Sequence, residues 1–139
     1  MLIATWNVNS VRVRINQIEE LIDQLNPDLL CLQETKVEDN LFPEESIKKK
    51  GYFVSYHGQK SYNGVAIISR NKLEDVKLGF SGEINLTKGI DDLDQQKRII
   101  SGIYNGLRIV NVYVPNGSSL DSEKFNYKLK WLDYLDKYL

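Results

Sequence analysis

Leu29-Leu30-Cys31-Leu32-Gln33-Glu34-Thr35-Lys36 decides how this chain is read. Four apolar residues, too few for a helix, run straight into a carboxylate. They read as a buried strand that hands over to an acid-bearing loop. Upstream, Val11, Ile15, Ile18, Ile22 and Leu25 recur at spacings of four, three, four and three before Asn26-Pro27-Asp28 breaks the pattern. That is one apolar stripe on an α-helix, with Ser10 or Asn9 placed to cap it. Before it, Leu2-Ile3-Ala4-Thr5-Trp6 reads as a strand ending in Asn7-Val8-Asn9. Strand, helix and strand within about thirty residues make a βαβ unit, whose strands run parallel through a right-handed crossover. Asn7 and Glu34 then share one sheet edge, the edge where open α/β sheets bind ligands.

Further along, a short helix is expected from Pro43, a strand over 52–56, a polar loop over 57–63 and a second buried strand over 64–69. A weaker strand follows over 73–78, and 80–96 has no clear period and reads as a loop. Residues 98–104 and 107–114 are β-rich and are joined by Asn105-Gly106, a strong hairpin signal. From about Ser122 the chain reads as a helix with two apolar stripes. One is Phe125, Leu129, Leu132 and Leu139; the other is Tyr127, Trp131, Tyr134 and Tyr138. So wide an apolar arc expects cover on more than one side. The helix runs to Leu139 without a capping glycine or polar tail, as a natural terminus can, and as a chain cut short equally would.

At 139 residues, with 42% hydrophobic and 27% charged residues, the chain suits one folded domain rather than a disordered segment. The single cysteine, Cys31, lies inside an apolar run and reads as a core residue, not a nucleophile or half of a disulfide. A net charge of −1 argues against a non-specific nucleic-acid binder. Lys48-Lys49-Lys50 and the acids Asp91, Asp92 and Asp94 read as solvated surface. The sequence offers no basic, apolar leader and no apolar run near the roughly 18 residues of a membrane span. The expectation is a cytoplasmic protein with no membrane partner.

Magnesium takes oxygen ligands, keeps several waters and is held by one or two carboxylates plus substrate phosphate. Glu34 with the Asn7 amide oxygen suits that habit. The residues alone leave a second reading open, in which Asn7 and Asn9 cap the turn and Glu34 pairs with Lys36 or Arg12. Tyr113, just before Pro115, could donate a hydrogen bond to a phosphate oxygen, or be a core tyrosine with its hydroxyl at the rim. His57 has no evident serine or aspartate partner, so a nucleophile triad is not supported. No zinc spacing and no phosphate-cradling glycine loop is present.

Taken together, the segments 6–12, 32–36 and 56–60, Gly64-Val65-Ala66, Arg98-Ile99-Ile100 and Val112-Tyr113-Val114-Pro115-Asn116-Gly117 resemble the exodeoxyribonuclease III branch of the apurinic/apyrimidinic endonucleases. That branch lies within the endonuclease/exonuclease/phosphatase superfamily. The resemblance implies a deoxyribonuclease I-like α/β sandwich of which residues 1–139 supply the N-terminal half, as one mixed sheet with flanking helices. It implies a Mg2+-dependent hydrolase (Mn2+ being a possible substitute) that cuts DNA 5′ to abasic sites and removes nucleotides from 3′ ends. Double-stranded DNA with abasic sites or 3′ ends would be the partner, and the full-length form would be a monomer. By position, Asn7 and Glu34 match the family's metal site and Tyr113 its phosphate-contacting catalytic tyrosine. Asn9, Arg12, Lys36, Tyr62, Arg98 and Asn116 fall on the DNA and phosphate side, where Lys36 is suited to orient Glu34. The family's second half carries a Gly-Asp-x-Asn strand and an Asp-His pair that this sequence lacks. Little activity is therefore expected of these residues alone. The alternatives are a non-catalytic DNA-binding or complementing fragment, or a phosphatase of the same superfamily.

Overall fold

β1 (Ile3–Asn7), α1 (Val11–Leu25) and β2 (Leu29–Gln33) form the expected βαβ unit in the computed structural model, which describes residues 1–81 and 93–139. β1 and β2 pair in parallel with Asn7 opposite Gln33. Ser10 is the N-cap, its Oγ accepting the Val13 N–H at 3.4 Å. Asn26 ends the helix in the left-handed region, returning its N–H to the Ile22 carbonyl at 2.8 Å. Val11, Ile18 and Ile22 are buried and Ile15 packs beside them. Leu25, on the last turn, is half exposed.

A 3-10 turn at Asp39–Leu41 precedes α2 (Glu45–Lys49), so Pro43 lies ahead of that helix rather than starting it. β3 (Phe53–His57) and β4 (Val65–Ser69) complete a four-stranded sheet in the order β1-β2-β4-β3, with β4 antiparallel to both neighbours. β5 (Glu74–Leu78), β6 (Ile99–Tyr104) and β7 (Leu107–Val112) make a separate three-stranded antiparallel sheet. Asn105 at φ 49 and Gly106 at φ 82 give the β6–β7 hairpin its paired positive dihedrals. Residues 82–92, the greater part of the loop expected over 80–96, lie outside the described residues together with Asp91 and Asp92. Leu93 is buried beside Phe80, Ile99 and Trp131.

The expectation of one mixed sheet is corrected here: the chain forms two sheets packed face to face. The reason lies in β2 and β4, whose residues are buried on both faces. Leu30, Leu32, Ala66 and Ile68 face α1, while Leu29, Cys31, Val65 and Ile67 face Leu73, Ile100 and Tyr104 of the second sheet. A continuous apolar run needs cover on both sides, and β5, β6 and β7 supply the second side. α3 (Glu123–Tyr138), capped by the Ser122 hydroxyl on the Phe125 N–H at 3.1 Å, closes the far face. Its tyrosine and tryptophan stripe packs on Val110, Val112 and Phe80. The other stripe looks outward, with Leu129 50% exposed. The layers therefore run helix, sheet, sheet, helix. Among the described residues no helix is long and apolar enough to cross a membrane.

Two outcomes test this packing. Burial pushes the Cys31 thiol up to about 11, so at pH 8 it should resist a disulfide reagent in the folded chain and react fully once denatured; rapid reaction without denaturant would contradict its place between the sheets. Gly64 stands at φ +92, and a Cβ there would meet the Thr35 Oγ1 at 2.1 Å. Gly64→Ala should therefore lower the urea-unfolding free energy by about 2 kcal/mol or more, and an unchanged midpoint would refute the close approach.

Candidate active site

The ends of three strands, drawn from both sheets, converge on Glu34. Strict alternation along β2 would send Glu34 to the face opposite Gln33. Instead Glu34 adopts φ 55 and Lys36 φ 53, while across from them Asn9 is at φ 45 and Ser10 at φ 100. Four non-glycine residues in the left-handed half of the map, on two adjoining loops, are a concentration of backbone strain that the surroundings must hold in place. Main-chain hydrogen bonds do so. Ser10 N–H donates to the Glu34 carbonyl at 2.8 Å and Val11 N–H to the Thr35 carbonyl at 3.0 Å. On the other side, Thr35 and Lys36 donate to the Gly64 and Asn63 carbonyls at 3.2 and 2.9 Å.

The Glu34 carboxylate is well partnered. Asn7 Nδ2 donates to Oε1 at 2.8 Å and Lys36 Nζ lies 3.3 Å from Oε2. Partial burial works against the charged form, but hydrogen bonds from Asn7, Tyr113 and Lys36 outweigh it and hold the pKa below its ordinary value. Lys36 also donates to the Asn9 side-chain oxygen, and the Asn9 N–H donates to Asn7 Oδ1 at 3.2 Å. Tyr113 is shifted the other way. Burial and the neighbouring Glu34 carboxylate raise its pKa, against the opposing charge of Arg98, so the phenol keeps its proton and serves as a donor.

Beside this cluster lies a cleft of about 530 Å³ lined by Tyr113, Arg98, Tyr62, Asn116, Lys124 and Tyr127 among others. Tyr62 is 70% exposed at its mouth. Arg98 sits over the Tyr113 ring, 4.5 Å from guanidinium carbon to centroid. It also donates to the Tyr113 carbonyl at 3.2 Å and to Gln96 Oε1 at 2.8 Å. Asn116, on the cleft wall, accepts the Ser118 N–H on its Oδ1 at 3.1 Å.

The structure thus brings Asn7, Asn9, Glu34, Lys36 and Tyr113 together, with Arg98, Tyr62 and Asn116 in the adjoining cleft. Arg12 stands exposed on the first turn of α1. His57 ends β3 on the same rim, but it is buried and faces Lys97, Asp39 and Asp94. Desolvation, with the Lys97 charge, lowers its pKa and keeps it neutral. Two further polar residues were not singled out by sequence. Asn111, only 3% exposed, donates to the Leu32 and Ala66 carbonyls, both at 2.9 Å, and accepts from Gln33 Nε2 at 2.8 Å. Gln33 Nε2 also reaches Thr5 Oγ1 at 2.9 Å. A single asparagine within a β-rich run carries no periodicity signal. Only its odd placement among apolar residues of β7 could have flagged it.

Known proteins share this fold. The sequence profile of the Endonuclease/Exonuclease/phosphatase family matches residues 4–139. Exodeoxyribonuclease III of Haemophilus influenzae is 36% identical over 144 residues, covering 100% of this chain and 51% of that protein. Among solved structures, a 3′ phosphatase from Neisseria bound to product DNA hairpin superposes with a TM-score of 0.90 at 41% identity, over 99% of this chain and 51% of that one. An AP endonuclease from Archaeoglobus fulgidus gives 0.89 at 42% identity, over 100% and 51%. The chain spans about half the length of these relatives. A profile match over nearly every residue, joined to a two-sheet sandwich with its polar cluster at the strand ends, leads to one conclusion: the chain belongs to the endonuclease/exonuclease/phosphatase family.

Proposed function

We propose that this chain supplies the N-terminal half of a divalent-metal-dependent DNA-repair phosphodiesterase, acting at 3′ ends and on the 5′ side of abasic sites. The observation that carries the reading is the ionised Glu34 flanked by Asn7 and Tyr113, one from each of three strand ends. The names of the relatives, an exodeoxyribonuclease, a 3′ phosphatase and an AP endonuclease, point to the substrate class.

The donor set fits a hard cation. Glu34 offers a charged oxygen, and turning the Asn7 amide over would place Oδ1 beside it, at the cost of both the Nδ2 bond to Glu34 and the Asn9 N–H contact, the cation then taking over the stabilisation of the carboxylate. One carboxylate, one amide oxygen and open solvent suit Mg2+ or Mn2+. Held by Glu34 and Asn7, such an ion would supply Lewis-acid stabilisation of charge on a phosphoryl oxygen and on the leaving oxygen. Lys36 holds the carboxylate in place. The Tyr113 phenol donates to a non-bridging phosphate oxygen as charge builds on it, and Arg98 braces that ring from behind. Tyr62, Asn116 and Arg12 approach the strand, with the exposed tyrosine offering a stacking surface.

Among the described residues Glu34 is the one carboxylate within the cluster, with Glu123 on the wall of the adjoining cleft, and the only imidazole, His57, faces elsewhere. Within the Glu34 cluster, general-base activation of water then has no second carboxylate and no imidazole among the described residues. The 139 residues by themselves should bind a phosphate-ended strand and turn it over slowly.

Three measurements test the reading. Mn2+ binding, followed by electron paramagnetic resonance, should weaken at least about tenfold in Glu34→Gln, and equal affinity would remove Glu34 as the anchor. Binding of a hairpin with a 3′ phosphate, followed by fluorescence anisotropy in Mg2+, should weaken about five- to tenfold in Tyr113→Phe. Incision of an abasic duplex by the 139-residue chain should stay below about 0.01 s⁻¹, a hundredfold under the low end of ordinary turnover; rates near 1 s⁻¹ would show that the residues described suffice for water activation.

A further inference from the structure

Thr5, Gln33 and Asn111 form a polar layer one step inside the site. Each is followed within two residues by a member of the cluster: Asn7 after Thr5, Glu34 after Gln33 and Tyr113 after Asn111. The layer is continuous, because Gln33 Nε2 contacts both Thr5 Oγ1 at 2.9 Å and Asn111 Oδ1 at 2.8 Å. It also crosses from one sheet to the other. Asn111 belongs to β7, whereas the carbonyls it reaches, those of Leu32 and Ala66, belong to β2 and β4. Those two residues are paired across β2 and β4 and point their own side chains toward α1. The buried Asn111 amide therefore seats in the gap they leave on the inner face.

We infer that Asn111, with Gln33, is a positioning residue that sets where Tyr113 stands relative to Glu34. The facing sides of the two sheets otherwise meet mainly through Leu29, Cys31, Val65, Ile67, Ile100 and Tyr104, with a main-chain bond from Gly64 N–H to the Lys97 carbonyl at 3.0 Å between flanking loops and a Tyr104–Asp28 side-chain bond at the far end. Aliphatic and aromatic contacts tolerate small slides, because dispersion is weakly directional. Hydrogen bonds to two fixed carbonyls do not, since they weaken steeply away from good distance and angle. A displacement of β7 along β2 would carry Tyr113 with it, two residues on. The Asn111 triad of bonds holds that register at the point nearest the site. It also satisfies all the polar atoms of a side chain that would otherwise be costly at this depth.

This inference rests on the proposed contact of Tyr113 with phosphate, and its test separates the two. Wild type, Asn111→Leu, Tyr113→Phe and the double variant would be compared for binding the 3′-phosphate hairpin in Mg2+, with circular dichroism and melting to establish folding. Gln33→Met serves as a milder variant should Asn111→Leu fail to fold. The expected result is that Asn111→Leu or Gln33→Met weakens binding about three- to tenfold, and that adding Tyr113→Phe brings no further loss. A purely structural role would lower the melting temperature and leave binding unchanged, or give losses that multiply; either result overturns the inference. Full-strength binding by Tyr113→Phe alone would instead sink the phosphate role on which it depends.

Discussion

The exit of β2 is the constraint on which the site depends. Leu29, Leu30 and Leu32 are fully buried and Cys31 nearly so, between a helix on one side and a sheet on the other, and the strand is paired on both edges. Such a strand has almost no freedom to slide, for a one-residue slip would exchange its two buried faces. The backbone beyond Gln33 thus begins from a fixed point and is then tied by main-chain hydrogen bonds to both neighbouring loops. Left-handed conformations at Glu34 and Lys36, unfavourable in a free chain, persist because the surrounding bonds leave the loop no better alternative. The consequence is chemical. A carboxylate that regular alternation would bury against α1 is turned toward Asn7 and Tyr113.

Electrostatics at the site follow from having one carboxylate among several donors. Asn7, Tyr113 and Lys36 stabilise the Glu34 charge, while that same charge helps the Tyr113 phenol keep its proton. The two shifts are opposite faces of one interaction, which produces an anion beside a neutral donor. Arg98 limits the effect by placing a cation on the far side of the ring. Coulomb attraction for the strand proposed above would then depend on Arg98 and Lys124, which line the cleft together with Glu123, rather than on bulk charge. The chain as a whole carries −1, and a Debye length of about 8 Å at physiological salt lets the near charges dominate.

Much of this architecture is legible in the sequence, and the reason is periodicity. The Val11–Leu25 stripe, the break at Asn26-Pro27 and the run into Gln33 fix the βαβ unit, and Asn105-Gly106 fixes the hairpin. Their common product is the meeting of Asn7, Glu34 and Tyr113 on one rim. The second sheet is less legible, although the fully apolar 29–32 and 64–69 runs already require cover on two faces. Assigning one sheet to this length of chain overlooks that requirement. The partners of Arg98 are hidden for another reason. An arginine at a strand's start looks the same whether it faces a phosphate or stacks on a tyrosine fifteen residues later. Long-range side-chain contacts of that kind leave no local pattern.

Asn111 shows why the polar interior matters more than its size suggests. A wholly apolar interface between sheets would pack well and still permit several registers of nearly equal energy, because cores tolerate rearrangement at constant volume. One amide bonded to carbonyls on two strands breaks that degeneracy, since each alternative register would leave buried donors and acceptors unmatched. Placing this amide at the rim, two residues from Tyr113, concentrates the selection where small displacements have chemical consequences. At the opposite end of the interface, Leu73, Tyr104 and Ile109 complete the packing, and there a shift of similar size would separate no reacting groups. Directional contacts between the sheets therefore stand at both ends, since Tyr104 of β6 hydrogen-bonds Asp28 just before β2, but only those beside Glu34 hold groups of the site in register.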